Sequence, residues 1–437
     1  MIPDKPAGAL TFIPSYILTF TVYAAITPYL SILVRDLGYS HFWVGLLLGI
    51  FEGAGIGGPF VFGYWADRSG SYRRGLAVSV LVPALAVVPL VLFIHPVLSA
   101  GLLALAAFAF RSTTSLLDAV TTIQTGKTGN YGKIRAFGSL SFIVVLLLFQ
   151  WTPVLKPHSA GNIAFWIAVT SLLSLIPVLL LPRTAVGVRA KPPPRKAVLP
   201  QGRGPSPGAA LSCGAALSPG AALSCGAALS CGAALSCGTA LSYGTGRTGR
   251  IVSAYFLGGL AIIFLCRFAM AAVYTFFPLY ITEELRWDAV GFMFALATAA
   301  EVPCMFISGR LLRRFDPVHL LALSAGGISL RLLIWAAFPF KGCIIAAQLL
   351  HSLCFGIFHP AAINFISTVF PPEKRATGMS VYLALGSGLP SLIGNMLGGA
   401  VVETGGYRPL FAGYAAFTGA AIVLYVCMRL TGLIRRR

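Results

Sequence analysis

A chain of 437 residues that is 57% hydrophobic and only 10% charged, with a mean hydropathy of +0.84, is not an ordinary soluble protein, because soluble domains carry about 25% charged residues. It reads as an all-α polytopic membrane protein. The net charge of +20 would suggest nucleic acid if it gathered on one surface, but the charges fall in short segments between apolar runs, so no nucleic-acid partner is expected.

The first apolar run, residues 9–34, is interrupted by Pro14 and Pro28. It is too long for the apolar core of a signal peptide, and no small-residue cleavage site closes it, so it is expected to remain as a spanning helix. Runs near the ~20 residues that cross a bilayer follow at 42–65, 75–94, 97–121, 135–154 and 161–181. A second set lies at 253–281, 289–312, 318–339, 342–369, 377–402 and 408–430. Twelve transmembrane helices in two six-helix halves, 1–182 and 251–437, are therefore expected.

The break between the halves, 183–250, opens on a basic, proline-rich piece from Arg189 to Arg203 and continues as a Gly-Ala-Ala-Leu-Ser-Cys/Pro repeat from Gly208 to Tyr243. Leu is its only large apolar residue, so it has no means of building a core and reads as a flexible cytoplasmic linker. Its cysteines, Cys213, Cys225, Cys231 and Cys237, leave a metal-binding or palmitoylated array, or a further membrane segment, as alternatives. The other cysteines lie in apolar runs. Neither a disulfide framework nor metal-ligand spacing stands out, and no metal or cofactor is expected.

The basic residues set the topology. With both termini inside, 24 of the 32 Lys and Arg fall in segments on one side, five (Arg35, Lys156, Arg286, Lys341, Arg408) on the other, and Arg111, Arg267 and Arg331 within helices. Basic residues are retained on the cytoplasmic side, so both termini are expected there, in a multi-pass protein of the inner (plasma) membrane. The most concentrated charge between adjacent runs is Gly63-Tyr-Trp-Ala-Asp67-Arg68-Ser-Gly70-Ser-Tyr-Arg73-Arg74, a tight turn between helices 2 and 3. At the matching place in the second half stands Gly309-Arg-Leu-Leu-Arg313-Arg314-Phe-Asp316, which keeps the arginines without the Asp-Arg pair. Two parallel six-helix repeats are one of the arrangements used by large transporter folds.

Those residues resemble the major facilitator superfamily, whose loop between helices 2 and 3 carries a Gly-x-x-x-Asp-Arg-x-Gly-x-x-Arg-like signature, matched from Gly63 to Arg73 or Arg74. The resemblance covers the chain apart from the linker and implies two pseudo-symmetric bundles that rock about a central cavity lined by helices 1, 4, 7 and 10. Three further stretches are similar to the proton-coupled branch that includes phenylpropionate and lactose permeases. They are Tyr131-Gly-Lys-Ile-Arg135-Ala-Phe-Gly138-Ser139, Glu301 followed by Ser308-Gly-Arg-Leu-Leu-Arg-Arg, and Gln348-Leu-Leu-His351. Helix 5 lacks the Gly-x-x-x-Gly-Pro signature of drug-exporting antiporters.

Ionisable groups inside spanning helices are costly unless paired or wetted, which marks Glu52, Arg111, Asp118, Arg267, Glu301, Arg331, His351 and His359. Arg111, Arg267, Gln348, His351 and Tyr274 are expected to contact substrate. Two arginines in a cavity would bind a carboxylate, unless Glu52 neutralises Arg111 and Glu301 neutralises Arg267. Arg331 falls on a helix that the resemblance places peripherally, where a structural pair or a lipid headgroup would hold it. Glu301 is the leading proton carrier, since a buried carboxylate can take up and release a proton as the cavity opens, with His351 and Glu52 as further candidates. Gly63, Asp67, Arg68, Gly70, Arg74, Asp118 and Arg135 are expected to form a cytoplasmic gate, in which Asp67 meets a cation or helix end of the other half. Glycines at four-residue spacing, Gly45, Gly49, Gly53 and Gly57 in helix 2 and Gly378, Gly386, Gly394 and Gly398 in helix 11, predict close packing or sliding between these helices.

The function expected is secondary active transport, without enzymatic activity, by a protein acting as a monomer. A small organic solute enters with protons, and an organic anion or aromatic acid is favoured over a sugar or nucleoside. No nucleotide-binding Gly-rich loop is present, which argues against a primary pump. A proton-driven exporter of drugs or lipids, and a non-transporting membrane sensor, are the alternatives.

Overall fold

Lipid offers backbone amides no partner, so apolar runs of this length must satisfy their hydrogen bonds internally, as helices do. The computed structural model describes residues 9–125, 131–152, 154–156, 158–181 and 253–434, and every regular element among them is helical. The predicted linker and its cysteine repeat lie outside the described residues.

The first half contains α1 (Ile13–Ile26 and Leu30–Asp36, bent by 41°), α2 (His41–Ser69), α3 (Tyr72–Leu92), α4 (Pro96–Ile123), α5 (Lys133–Trp151) and α6 (Ala160–Leu180). The second contains α7 (Ala254–Glu284), α8 (Val290–Arg314), α9 (Pro317–Ala337), α10 (Lys341–Val369), α11 (Thr377–Gly405) and α12 (Tyr407–Leu430). Ten spans are continuous, and the two bent pairs bring the number to 12. The bend in α1 falls at Thr27-Pro28-Tyr29, where proline cannot extend the preceding helix.

Besides a widened turn at Tyr280–Glu284, the second half contains three others, in α7, α10 and α11, at Ala272–Phe276, Ser352–Ile357 and Tyr382–Gly388. Each of these three is followed by a proline, Pro278, Pro360 and Pro390. Proline has no N–H for the carbonyl four residues back, here Tyr274, Gly356 and Gly386, and each of those carbonyls lies inside a widened turn. The sequence thus loosens α7, α10 and α11 beside the polar residues described below.

The halves meet mainly through α2 with α11 and α5 with α8. A Cβ on Gly45 would stand 2.3 Å from the Asn395 carbonyl oxygen and 2.8 Å from Gly399 Cα, and one on Gly49 would stand 2.8 Å from the Leu392 carbonyl oxygen. These contacts lie near the start of α2 and the end of α11, on the face opposite the α2–α3 turn. Beyond Gly57, α2 packs instead on Phe108 of α4, in its own half. The halves are therefore closed together at the opposite face. Valine at Gly45 meets backbone that cannot swing aside, which costs about 1–3 kcal/mol and lowers the closed-to-open ratio by about ten- to a hundredfold. Faster maleimide labelling of a cysteine placed at Thr27, which lines the cavity between the halves, checks this expectation; unchanged labelling would contradict it.

Candidate functional site

Gln348 and His351 are three residues apart on α10 and share a face, as do Arg331 and Trp335, four apart on α9. Packing brings the two faces together. The guanidinium of Arg331 donates from Nη1 to His351 Nδ1 (2.6 Å) and from Nη2 to Gln348 Oε1, and it lies 4.6 Å over the Trp335 ring. Trp335 stacks in turn on Phe277 of α7 at 4.1 Å. Gln348 Nε2 donates to the Met293 carbonyl of α8 (3.1 Å), so both ends of the amide are held.

An arginine has only donors, so the bond from Arg331 requires His351 Nδ1 to accept. The ring proton of neutral His351 then sits on Nε2, which lies 2.7 Å from Glu301 Oε1. The approach has ion-pair distance without hydrogen-bond angles, and neither oxygen of the fully buried Glu301 has a hydrogen-bond partner. A proton on Glu301 would leave the bond between Arg331 and His351 in place. Adding a proton to His351 Nδ1 would instead break its bond to Arg331.

These groups border a cavity of about 20 Å³, room for a water, lined from the second half by Tyr274, Phe277, Arg331, Gln348 and His351 and from the first by Thr27 and Phe142. The Tyr274 ring stands edge-on to His351 at 6.2 Å. Ala297 and Thr298, one turn before Glu301, complete the α8 wall. Of the residues expected to bind substrate, Gln348, His351 and Tyr274 thus come together.

Arg111 and Arg267 do not join them. Arg111 donates to Glu52 in the first half, the internal pairing left open by the sequence. Arg267 is not neutralised by Glu301, which faces His351. It lies seven residues before Tyr274 on α7, about 10 Å nearer the α2–α3 turn, and donates to Ser387 Oγ of α11 at 3.1 Å. Arg267 is buried, and no carboxylate lies within ion-pair distance of it among the described residues. Of the two fates expected for Arg331, the structural one holds: it is fully buried and bonded to His351 and Gln348, but it also lines the cavity, which its expected peripheral helix did not suggest. The clue available was Trp335 one turn on, an aromatic ring placed to cover a buried guanidinium.

The residues expected to form a gate divide into two groups. Asp118 of α4 binds Arg135 of α5 and accepts from Tyr16 of α1 at 2.7 Å, a cluster inside the first half. At the α2–α3 turn, Asp67 accepts from Tyr72, Arg68 donates to Tyr64 (2.8 Å), and Arg73 donates to the Leu179 carbonyl (3.2 Å) at the end of α6. Arg74 is exposed. Asp67 thus engages its own turn in this conformation rather than the other half. Gly70 has φ +62° at the end of α2, a left-handed conformation suited to glycine, whereas a Cβ on Gly63 would meet nothing within 4 Å. Gly63 is therefore not required here by close approach. Asp316, the partial counterpart of Asp67, caps α9 through Val318 N (2.8 Å) and accepts from Tyr255 (3.0 Å).

Comparison with known proteins agrees with this architecture. The uncharacterized transporter YwbF of Bacillus subtilis (strain 168) is 26% identical over 159 residues, 35% of this chain and 39% of YwbF, so the match spans well under half of that relative. The maltose permease of Geobacillus stearothermophilus is 24% identical over 397 residues, 90% of this chain and 80% of the permease. The crystal structure of nucleoside transporter NupG superposes with a TM-score of 0.71 at 14% identity, covering 96% of this chain and 98% of that one, a likeness of fold. The model of the MFS_1 like family matches residues 12–412, and the chain belongs to that family of major facilitator membrane transporters.

Proposed function

We propose that this transporter carries a small organic anion inward together with protons, by alternating access, across the plasma membrane with both termini cytoplasmic. The observation that carries the reading is the charge surplus at Arg267. Arg111 and Arg135 each have their own carboxylate, and Arg331 shares Glu301 through His351, while among the described residues Arg267 bonds the Ser387 hydroxyl and no carboxylate. A buried cation without an anion is costly unless a ligand supplies one. Protonation of Glu301 would add a second uncompensated cation at Arg331, so proton uptake favours anion binding. The aromatic walls at Tyr274, Phe277 and Phe142 suit a solute with an apolar or aromatic body.

The test is solute flux into proteoliposomes under an imposed proton gradient, comparing aromatic carboxylates with sugars and nucleosides. Arg267→Gln removes a charge-assisted contact worth about 1.5–3 kcal/mol, so KM for an anion should rise by about ten- to a hundredfold. Transport of neutral solutes alone, unaffected by Arg267→Gln, would defeat the reading. Solute moving against the protons would instead indicate export.

A second reading is a neutral sugar or nucleoside. It is favoured by the cavity wall, where Thr27, Thr298 and Tyr274 carry hydroxyl groups and Arg331 is occupied by protein partners. It also fits the maltose permease of similar sequence and the nucleoside transporter of similar fold.

A further inference from the structure

The face that closes the halves together carries a second polar cluster. Glu283, at the end of α7, accepts from Arg35 Nε of α1 (2.8 Å), from His41 Nε2 of α2 (2.8 Å) and from the Tyr407 hydroxyl of α12 (2.5 Å). His41 Nδ1 lies 3.6 Å from Glu403 Oε2 of α11. Two first-half helices and three second-half helices are thereby tied together at one imidazole and one carboxylate.

We propose that this cluster is a proton-sensitive latch, closed when His41 is protonated and weakened when it is neutral. The geometry supplies the sign. Both ring nitrogens of His41 face carboxylates, and only the imidazolium has a proton for each. The neutral ring turns a lone pair toward Glu283 or toward Glu403. With His41 charged, two cations, Arg35 and His41, balance Glu283 and Glu403; with His41 neutral, the cluster keeps an unbalanced negative charge.

Other charged groups lie beside the cluster. Asp36 of α1 adds a negative charge close to Glu283, with His158 of the α5–α6 connection beside it. Glu284 of α7 is taken by Arg408 of α12 at 3.5 Å. Opening the face separates His41 from both carboxylates, so the closed state holds the proton that the open state releases. Acid on that face keeps it shut, and alkaline solution lets it open. This inference is independent of the solute and of the proton site proposed at Glu301.

The test uses the full chain in lipid nanodiscs, with native cysteines replaced and spin labels at Ile94 and Phe340, which are exposed at this face on different halves. A Glu301→Gln background removes the other proposed proton site. The widely separated population should grow as pH rises from about 5 to 8, by up to about tenfold per unit while one proton is released. His41→Gln and Glu403→Gln should each flatten that slope, and His158→Gln should leave it intact. A pH-independent distance distribution in the parent, or an unchanged slope in His41→Gln or Glu403→Gln, would overturn the proposal. So would loss of the slope in His158→Gln.

Discussion

Glu301→Gln is expected to abolish proton-driven accumulation of solute while sparing exchange of labelled for unlabelled solute. Glutamine keeps the size of the side chain and still offers an oxygen to His351 Nε2, so the cavity wall survives. It cannot bind and release a proton at neutral pH. One coupled proton and a gradient of one pH unit, about 1.4 kcal/mol, support about tenfold accumulation. In the variant the inside-to-outside ratio should settle at unity for a neutral solute, with exchange remaining within a fewfold of the parent. Retained accumulation would remove Glu301 from the proton path. Because Arg331 occupies His351 Nδ1, the geometry favours the carboxylate over the imidazole as the group that changes protonation.

Asp118→Asn should produce the largest loss of stability. Asp118 is 1% exposed, binds the Arg135 guanidinium and accepts the Tyr16 hydroxyl. Removing its charge strands a buried cation among α1, α4 and α5, at a cost of about 3–5 kcal/mol. Thermal unfolding of the purified protein should show a clear drop in Tm for Asp118→Asn, with much of it recovered when Arg135→Gln is added. Additive losses in the double variant would show that the two residues are not coupled. The cluster lies within one half, so its stabilising role precedes any contribution to a gate between halves.

The contrast between Asp67 and Asp118 illustrates what a linear reading can reach. Both stood out as carboxylates beside arginines near the same face. Asp118 pairs with Arg135 across two helices, whereas Asp67 bonds Tyr72, five residues away. Arg331 found the structural partners expected of it, but deeper in the protein than its helix suggested. Its helix was expected to be peripheral, but the face bearing Arg331 and Trp335 turns inward onto α10 and α7. The opposite-face cluster was invisible for a related reason: Arg35, His41, Glu283, Glu403 and Tyr407 are scattered over the chain and sit at helix ends, where a charge needs no special explanation.

By itself, the sequence determined the spans, the division into two sets of six, and the short inventory of charges that lipid cannot leave unpaired. Each follows from local physics: about 20 apolar residues make a span, and a buried charge demands a partner. Only the tertiary structure decided which partner each charge found. That choice depends on how each helix is rotated about its axis and which neighbour it packs against, and hydropathy carries little information about either. Glu301 met His351 rather than Arg267, Arg111 met Glu52, and Arg267 faces Ser387, with no anion of its own among the described residues.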